Sequence, residues 1–272
     1  MPELPEVETT RRGIRPLLVG RRVEAVVVRQ RQLRWPVPDA LDNALPGRTI
    51  RDVRRRAKYL LLDTEPAAAV LLHLGMSGRL RVIPSATPAA KHDHVDLVLD
   101  GGAALRLTDP RRFGACLWIS AGGPPHPLLR HLGVEPLSAA LTGDYLYRVA
   151  RQRRVAVKNL LMDSRIVCGV GNIYANEALF RASIHPLRAA GNISLRRYAA
   201  LVAALREVLG EAIAAGGTTL RDYRGADGTP GYFVTSLAVY GRGGQPCLRC
   251  GTKLKLVRIA ARSTCYCPRC QR

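Results

Sequence analysis

Along residues 14–120 the apolar positions fall in short runs, 23–28, 59–62, 70–74, 95–99, 105–107 and 116–119, with Gly, Pro and Asp between them. Runs of this length closed by turn residues predict strands, and several in series predict a β-sandwich or barrel. Ahead of them, Pro2 and Pro5 with Glu3 and Glu6 mark the start of a helix that would pack on the strands. The texture changes at Gly122-Gly123-Pro124-Pro125 and again over 132–137, which reads as a hinge. Beyond the hinge the period is helical. Residues 155–162 read as helix, and Tyr198, Leu201, Val202, Leu205, Val208, Leu209, Ala212 and Ile213 recur every three or four positions behind Ser194 as N-cap, with Gly216-Gly217 ending the run. Residues 253–259 alternate polar and apolar as a strand does. A second strand near Thr264-Cys265-Tyr266 would close a hairpin, with Arg262 and Ser263 at or near its tip. The expected class is α+β and multidomain: mostly β first, then helical, then a terminal β-hairpin. No internal repeat or low-complexity tract is present.

Charge narrows the partner. The 272 residues hold 42 Lys+Arg against 21 Asp+Glu, a formal +21, which exceeds what solubility needs and points to a polyanion, nucleic acid first. Only five of the basic residues are lysines: Lys58, Lys91, Lys158, Lys253 and Lys255. The first ten residues carry three glutamates, unlike a signal peptide, and no apolar run reaches the roughly 18 residues a membrane span needs. A cytoplasmic protein with no membrane partner is expected.

Five of the seven cysteines crowd into the tail. Cys247-x2-Cys250 and Cys267-x2-Cys270, with sixteen residues between the pairs, have the spacing of a four-thiolate zinc site. Four thiolates leave no open coordination position, so the chain is expected to hold one structural Zn2+. Cys265 is either a competitor for the metal or a spare thiol. Cys116 and Cys168 read as small core hydrophobes.

Two further features carry chemistry. A methionine followed by so small a residue is normally trimmed in the cytosol, which would leave Pro2 with a free secondary amine. At the first turn of a helix the dipole disfavours the charged amine, and a neutral amine forms a Schiff base with a carbonyl-level carbon. Glu3 and Glu6, three apart, would share one helix face as acid and base. The other reading is that both prolines only start the helix. The second feature is Gly169-Val170-Gly171-Asn172 opening a helical stretch. Free N–H groups at such an N-terminus suit a phosphate, with Asn172 adding a donor, although the same turn could merely join two helices.

The opening Met1-Pro2-Glu3-Leu4-Pro5-Glu6, Lys58-Tyr59-Leu60, His73-Leu74-Gly75-Met76-Ser77-Gly78, His92-Asp93-His94, Asp109-Pro110-Arg111-Arg112-Phe113-Gly114, Gly169-Val170-Gly171-Asn172-Ile173-Tyr174 and the cysteine tail together resemble the formamidopyrimidine-DNA glycosylase family. The resemblance spans essentially the whole chain. It implies an N-terminal β-sandwich with flanking helices over 2–134, a helix-two-turns-helix domain over 135–232 and a C-terminal zinc finger over 233–272. It also implies a monomer acting on double-stranded DNA that contains an oxidised base or an abasic site.

By the same resemblance Pro2 attacks C1′ of an extruded nucleotide, Glu3 protonates the sugar ring and Glu6 supports the site. Lys58 is tied to β-elimination. Arg262 is tied to δ-elimination, where its very high pKa suits gripping the departing phosphate better than donating a proton. Met76, Arg111 and Phe113 would fill the void, Arg111 reading the partner base, although Met76 and Phe113 could equally be core. His73, His92, Arg112, Arg153, Lys158 and Asn172 would contact phosphates. Gly216-Gly217-Thr218-Thr219-Leu220-Arg221-Asp222-Tyr223, with Asp227-Gly228 and Gly231-Tyr232-Phe233, resembles the segment that caps an extruded purine. It favours oxidised purines over the pyrimidines of the endonuclease VIII branch. Ser164, Tyr223 and Cys265 depart from the family pattern. A catalytically silent, zinc-dependent binder of damaged DNA is the rival from another class, and retention of Met1 would support it.

Overall fold

The apolar runs pair into two four-stranded antiparallel sheets in the computed structural model, which describes residues 2–123, 125–217 and 237–272. Behind helix α1 (Leu4–Leu18) come strands β1 (Val23–Val28), β2 (Thr49–Arg56), β3 (Tyr59–Glu65), β4 (Ala68–His73), β5 (Arg79–Pro84), β6 (Asp93–Leu99), β7 (Ala103–Thr108) and β8 (Ala115–Ser120). A short helix, α2 (Ala40–Ala44), lies between β1 and β2. The sheets run β1-β6-β7-β5 and β2-β3-β4-β8.

Their inner faces make one core. Val23, Leu97, Leu105 and Leu107 of the first sheet cluster with Leu60, Leu62, Val70, Leu72 and Cys116 of the second, and Val7, Ile14 and Leu18 of α1 join them. Burial pushes the Cys116 thiol up to about 12, so it behaves as the small hydrophobe expected. Leu61, Leu71 and Leu117 form a second cluster covered by Trp35, Tyr59 and Leu128. With Leu60 and Leu62 in one cluster and Leu61 in the other, β3 is buried on both faces, hence its unbroken apolar run.

Two strands lie outside the apolar runs. In β2 the buried Ile50 and Val53 stand three apart because the register shifts between Ile50 and Asp52, and such a bulge breaks the period of two. Its arginines serve ion pairs, Arg54 with Asp63 and Arg55 with Glu8. In β5, Leu80 and Val82 alternate with Arg79 and Arg81, too short a pattern to stand out.

After the short helix α3 (Pro127–Arg130) the chain is helical: α4 (Gly143–Ala150), α5 (Val157–Met162), α6 (Asn172–Arg181) and α7 (Leu195–Ala214). Helix α7 buries Tyr198, Leu201, Leu205, Val208, Leu209 and Ala212, the stripe its period predicts, and Ser194 Oγ accepts from the Arg197 N–H. The tail hairpin pairs β9 (Lys255–Ile259) with β10 (Arg262–Tyr266). Ala260 and Ala261 at its tip have φ of 45° and 61°, values that two-residue turns of the primed kind require. Arg262 is the first residue after the tip, paired with Ile259.

The chain is organised as two units, Met1–Leu129 with Ala215–Tyr232, and Arg130–Ala214 with Phe233–Arg272. The zinc hairpin thus belongs with the helical unit. Among the described residues no helix is long and apolar enough to cross a membrane.

Candidate active site and nucleic-acid interface

Pro2 is buried one residue ahead of the Glu3 N-cap of α1, where unpaired helical N–H groups gather. The two glutamates answer them. Glu3 and Glu6 form a reciprocal capping box, with the Glu3 N–H donating to Glu6 Oε2 at 2.8 Å. Both are nearly fully buried, 3% and 2% exposed, so both carboxyl groups are fixed beside Pro2 rather than free in water. Gly217, at φ +83°, backs onto the same spot: a Cβ there would lie 3.2 Å from Glu6 Cγ and 3.3 Å from Oε1.

Lys58 sits in the two-residue turn of the β2–β3 hairpin behind the buried Ala57, whose φ is 54°. Glu8 ties this hairpin to α1. Its carboxylate takes Arg11, Arg12 and, from β2, Arg55 at 3.1 Å, and Arg55 also donates to the Ala57 carbonyl at 3.0 Å. Burial works to raise the Glu8 pKa, but hydrogen bonds from Arg11 and Arg12 and the field of Arg55 hold it below the usual value. Glu8 therefore stays charged, and through Arg55 it ties α1 to the Lys58 turn. Sequence reading missed it, since a third glutamate near a helix start looks like ordinary dipole complementation.

Two loops at one end of the sandwich carry the expected void-filling residues. Met76 is 36% exposed and Phe113 40%, so neither belongs to the core, and the Arg111 guanidinium lies 4.9 Å over the Phe113 ring. Gly75 allows the approach of the loops, because a Cβ there would fall 2.4 Å from the Phe113 carbonyl carbon. Arg112 is exposed with φ 57°, a left-handed value for a residue with a side chain. His92 is half-buried, with its ring 6.3 Å from that of His94.

His73 differs from its expected role. Its Nδ1 accepts the Gly75 N–H at 3.1 Å and its ring also bonds the Phe113 backbone, so it ties the two loops instead of presenting a free donor to phosphate. Burial first, then the charges of Lys58 and Arg34, lower its pKa to about 4, leaving the ring neutral at pH 7.

In the second unit, Gly171 caps α6 and Asn172 opens it, partly exposed. The Asn172 Nδ2 donates to the Ser263 carbonyl at 2.9 Å, next to Arg262 on the hairpin, and Arg262 is exposed. Arg153 is exposed in the loop after α4. Lys158 is placed otherwise than expected. It is 0% exposed, and its ammonium donates to Thr264 Oγ1 at 2.6 Å and to the Ser263 carbonyl at 3.2 Å, so it holds the hairpin from inside and offers no surface charge to a phosphate. Asn176 Oδ1 accepts the Cys265 N–H at 3.0 Å. Glu177 accepts three successive backbone N–H groups, from Ala238, Val239 and Tyr240, at 2.8–2.9 Å. Buried polar groups of this kind leave no periodic mark in sequence.

The ligand sulfurs of Cys247, Cys250, Cys267 and Cys270 lie within 4.8 Å of one another, close enough to share one ion. Cys265 is outside that group and buried in the adjoining apolar cluster, which agrees with a spare thiol. The soft four-sulfur donor set suits one structural zinc and offers no site for substrate. Thr218 to Tyr223, Asp227-Gly228 and Gly231-Tyr232-Phe233, expected to cap the purine, lie outside the described residues.

Comparison with known proteins follows the same division. Models of the formamidopyrimidine-DNA glycosylase N-terminal domain, the formamidopyrimidine-DNA glycosylase H2TH domain and the zinc finger found in FPG and IleRS match residues 1–116, 132–224 and 244–272. The formamidopyrimidine-DNA glycosylase of Alkalilimnicola ehrlichii is 60% identical over 278 residues, covering 100% of both chains. The crystal structure of the MutM (Fpg) protein of Thermus thermophilus matches with a TM-score of 0.89 and 43% identity over 99% of this chain and 98% of that one. Lactococcus lactis Fpg (MutM) in complex with Fapy-dG-containing DNA matches with a TM-score of 0.90 and 31% identity, covering 99% of this chain and 100% of that one.

Proposed function

The chain belongs to the formamidopyrimidine-DNA glycosylase family, and on that premise we propose that it is a bifunctional DNA glycosylase and abasic-site lyase of base excision repair, acting on oxidised purines such as 8-oxoguanine and formamidopyrimidines. The observation that carries this reading is the placement of Pro2 beside two buried, mutually capped glutamates. The L. lactis relative bound to Fapy-dG DNA supports the substrate class, and the charge of +21 supports the duplex partner.

With Met1 removed, the Pro2 nitrogen attacks C1′ of the extruded nucleotide as the C1′–N bond breaks, and the proton given up by the amine leaves on the base. Glu3 protonates O4′, opening the sugar, and the nitrogen lone pair completes an iminium. That iminium acidifies C2′. Loss of the C2′ proton expels the 3′ phosphate, with Lys58 serving the proton transfers, and a second elimination expels the 5′ phosphate, gripped by Arg262. Glu6 supports Glu3 and the end of α1. Met76 and Phe113 occupy the vacated stack while Arg111 reads the opposite base. His92, Arg112, Arg153 and Asn172 hold the backbone, with His73 and Lys158 supporting them from within. Zinc on the four cysteines organises the hairpin that carries Arg262 and takes no chemical part.

In this reading residues 2–134 carry the chemistry, 135–232 the grip and 233–272 the zinc finger, in a monomer working on chromosomal DNA in the cytoplasm. The test is product analysis on matched duplexes. An 8-oxoguanine duplex should yield the free base and a one-nucleotide gap with phosphate at both ends, faster than a thymine glycol duplex yields its base. The reverse order would favour the pyrimidine branch, and tight binding without base release would favour a silent binder.

A further inference from the structure

The two wedge loops are crossovers between the sheets, running side by side. Residues 74–78 lead from β4 to β5, and residues 109–114 lead from β7 to β8. At one end His73 pairs with Ala115 in one sheet, and at the other Arg79 pairs with Thr108 in the other sheet. Each loop is therefore pinned to both sheets at its ends, with Met76, Arg111 and Phe113 in between, where the ring of His73 also bonds the Phe113 backbone.

Asp109, the first residue of the second loop, is 0% exposed. Its Oδ1 accepts the Ser77 hydroxyl of one loop at 3.0 Å, and its Oδ2 accepts the Gly114 N–H of the other at 2.7 Å. Its carbonyl takes the Arg112 N–H at 3.2 Å and lies 2.8 Å from His94 Nε2. A Cβ on Gly114 would sit 2.7 Å from the His73 carbonyl oxygen and 3.0 Å from Oδ2, so that residue must be small. A buried carboxylate whose two oxygens are divided between two loops fixes their spacing more tightly than apolar packing does, because leaving either oxygen unmade is costly.

We propose that Asp109 is a positioning residue for opposite-base recognition: through Ser77 and Gly114 it sets the register of the loops that present Met76, Arg111 and Phe113. The inference rests on the reading of those three residues as the void-filling set. Asp109 itself touches neither base nor backbone.

The test compares Asp109→Ala, Asp109→Asn and Ser77→Ala by the ratio of excision opposite cytosine to excision opposite adenine, with thermal melts to verify folding. Borohydride trapping on a single-stranded abasic oligonucleotide, which has no opposite base, is the reference. The ratio should fall about tenfold in Asp109→Ala and about threefold in Ser77→Ala, while single-strand trapping persists. Asp109→Asn should recover most of the ratio, because the amide oxygen still takes the Gly114 N–H and the amide N–H donates to Ser77 Oγ. An unchanged ratio in folded Ser77→Ala and Asp109→Ala would overturn the proposal. Should Asp109→Ala fail to fold, an unchanged ratio in Ser77→Ala overturns it alone. Failure of the unaltered protein to trap on the single strand would count against the lyase reading and leave the latch to be judged by the ratio.

Discussion

The sandwich loops and the zinc hairpin each hold a few exposed side chains in place, and they do so by opposite means. The loops rest on a broad apolar core drawn from both sheets and α1, so a few hydrogen bonds suffice to set their details. Among the described residues the hairpin adjoins a cluster of six buried side chains, three of them cysteine. Metal and a buried polar network take over what apolar area does in the sandwich. Lys158, Asn172, Asn176 and Glu177 hold the hairpin and the segment before it from the helical side, and four thiolates close it from within. The sandwich should therefore outlast conditions that dismantle the grip.

The largest effect expected is from the metal. Structural zinc supplies on the order of 10 kcal/mol of folding free energy to small domains, so chelation should unfold the hairpin and abolish duplex binding while near-UV circular dichroism of the sandwich survives. Full binding after verified zinc loss would break the comparison. Arg111→Ala should cost about 1 to 3 kcal/mol of discrimination for the opposite base. Arg153→Ala should instead weaken all duplexes alike and flatten the slope of log binding constant against log salt by roughly one. An exchange of these two signatures would place reading and grip in the wrong units.

A smaller and sharper effect concerns Gly216 and Gly217, both with positive φ, +76° and +83°. Alanine at either should cost about 1 to 2 kcal/mol of backbone strain. Of the two, Gly217 is the one where the new methyl would meet Glu6, since among the described residues nothing lies within 4 Å at Gly216. Gly217→Ala should thus slow base release about tenfold by displacing Glu6, whereas Gly216→Ala should lose stability alone. Equal rates in the two would separate Gly217 from the site.

Much of this arrangement was legible in the sequence, and the exceptions have physical causes. Strands buried on one or both faces, such as β1, β3 and β6, announce themselves by apolar runs, and α7 by its stripe. Strand β2 does not, because a bulge sets Ile50 and Val53 out of phase and its arginines are spent on ion pairs. Pro2, the capping glutamates and the cysteine quartet stand out because their pattern is local: a proline behind the first methionine, a spacing of three, two Cys-x2-Cys pairs. Latches across long separations are not. Ser77 and Asp109 stand 32 residues apart, and Lys158 and Thr264 stand 106 apart, so nothing in the string marks Lys158 as buried or Asp109 as shared between loops. His73 shows the same limit: its motif points to phosphate, whereas its neighbours make it a neutral tie.

If the chemistry lies at the tip of α1, the attacking group is the Pro2 amine. Borohydride added during turnover on an 8-oxoguanine duplex tests that most directly, with intact mass used first to establish that Met1 is absent. A covalent protein–DNA adduct mapped to Pro2 is expected, formed equally by a Lys58→Met variant, because in the proposed mechanism the α-amine and not the lysine attacks. An adduct mapped to Lys58, or none from Met-free protein that binds the duplex, would contradict it.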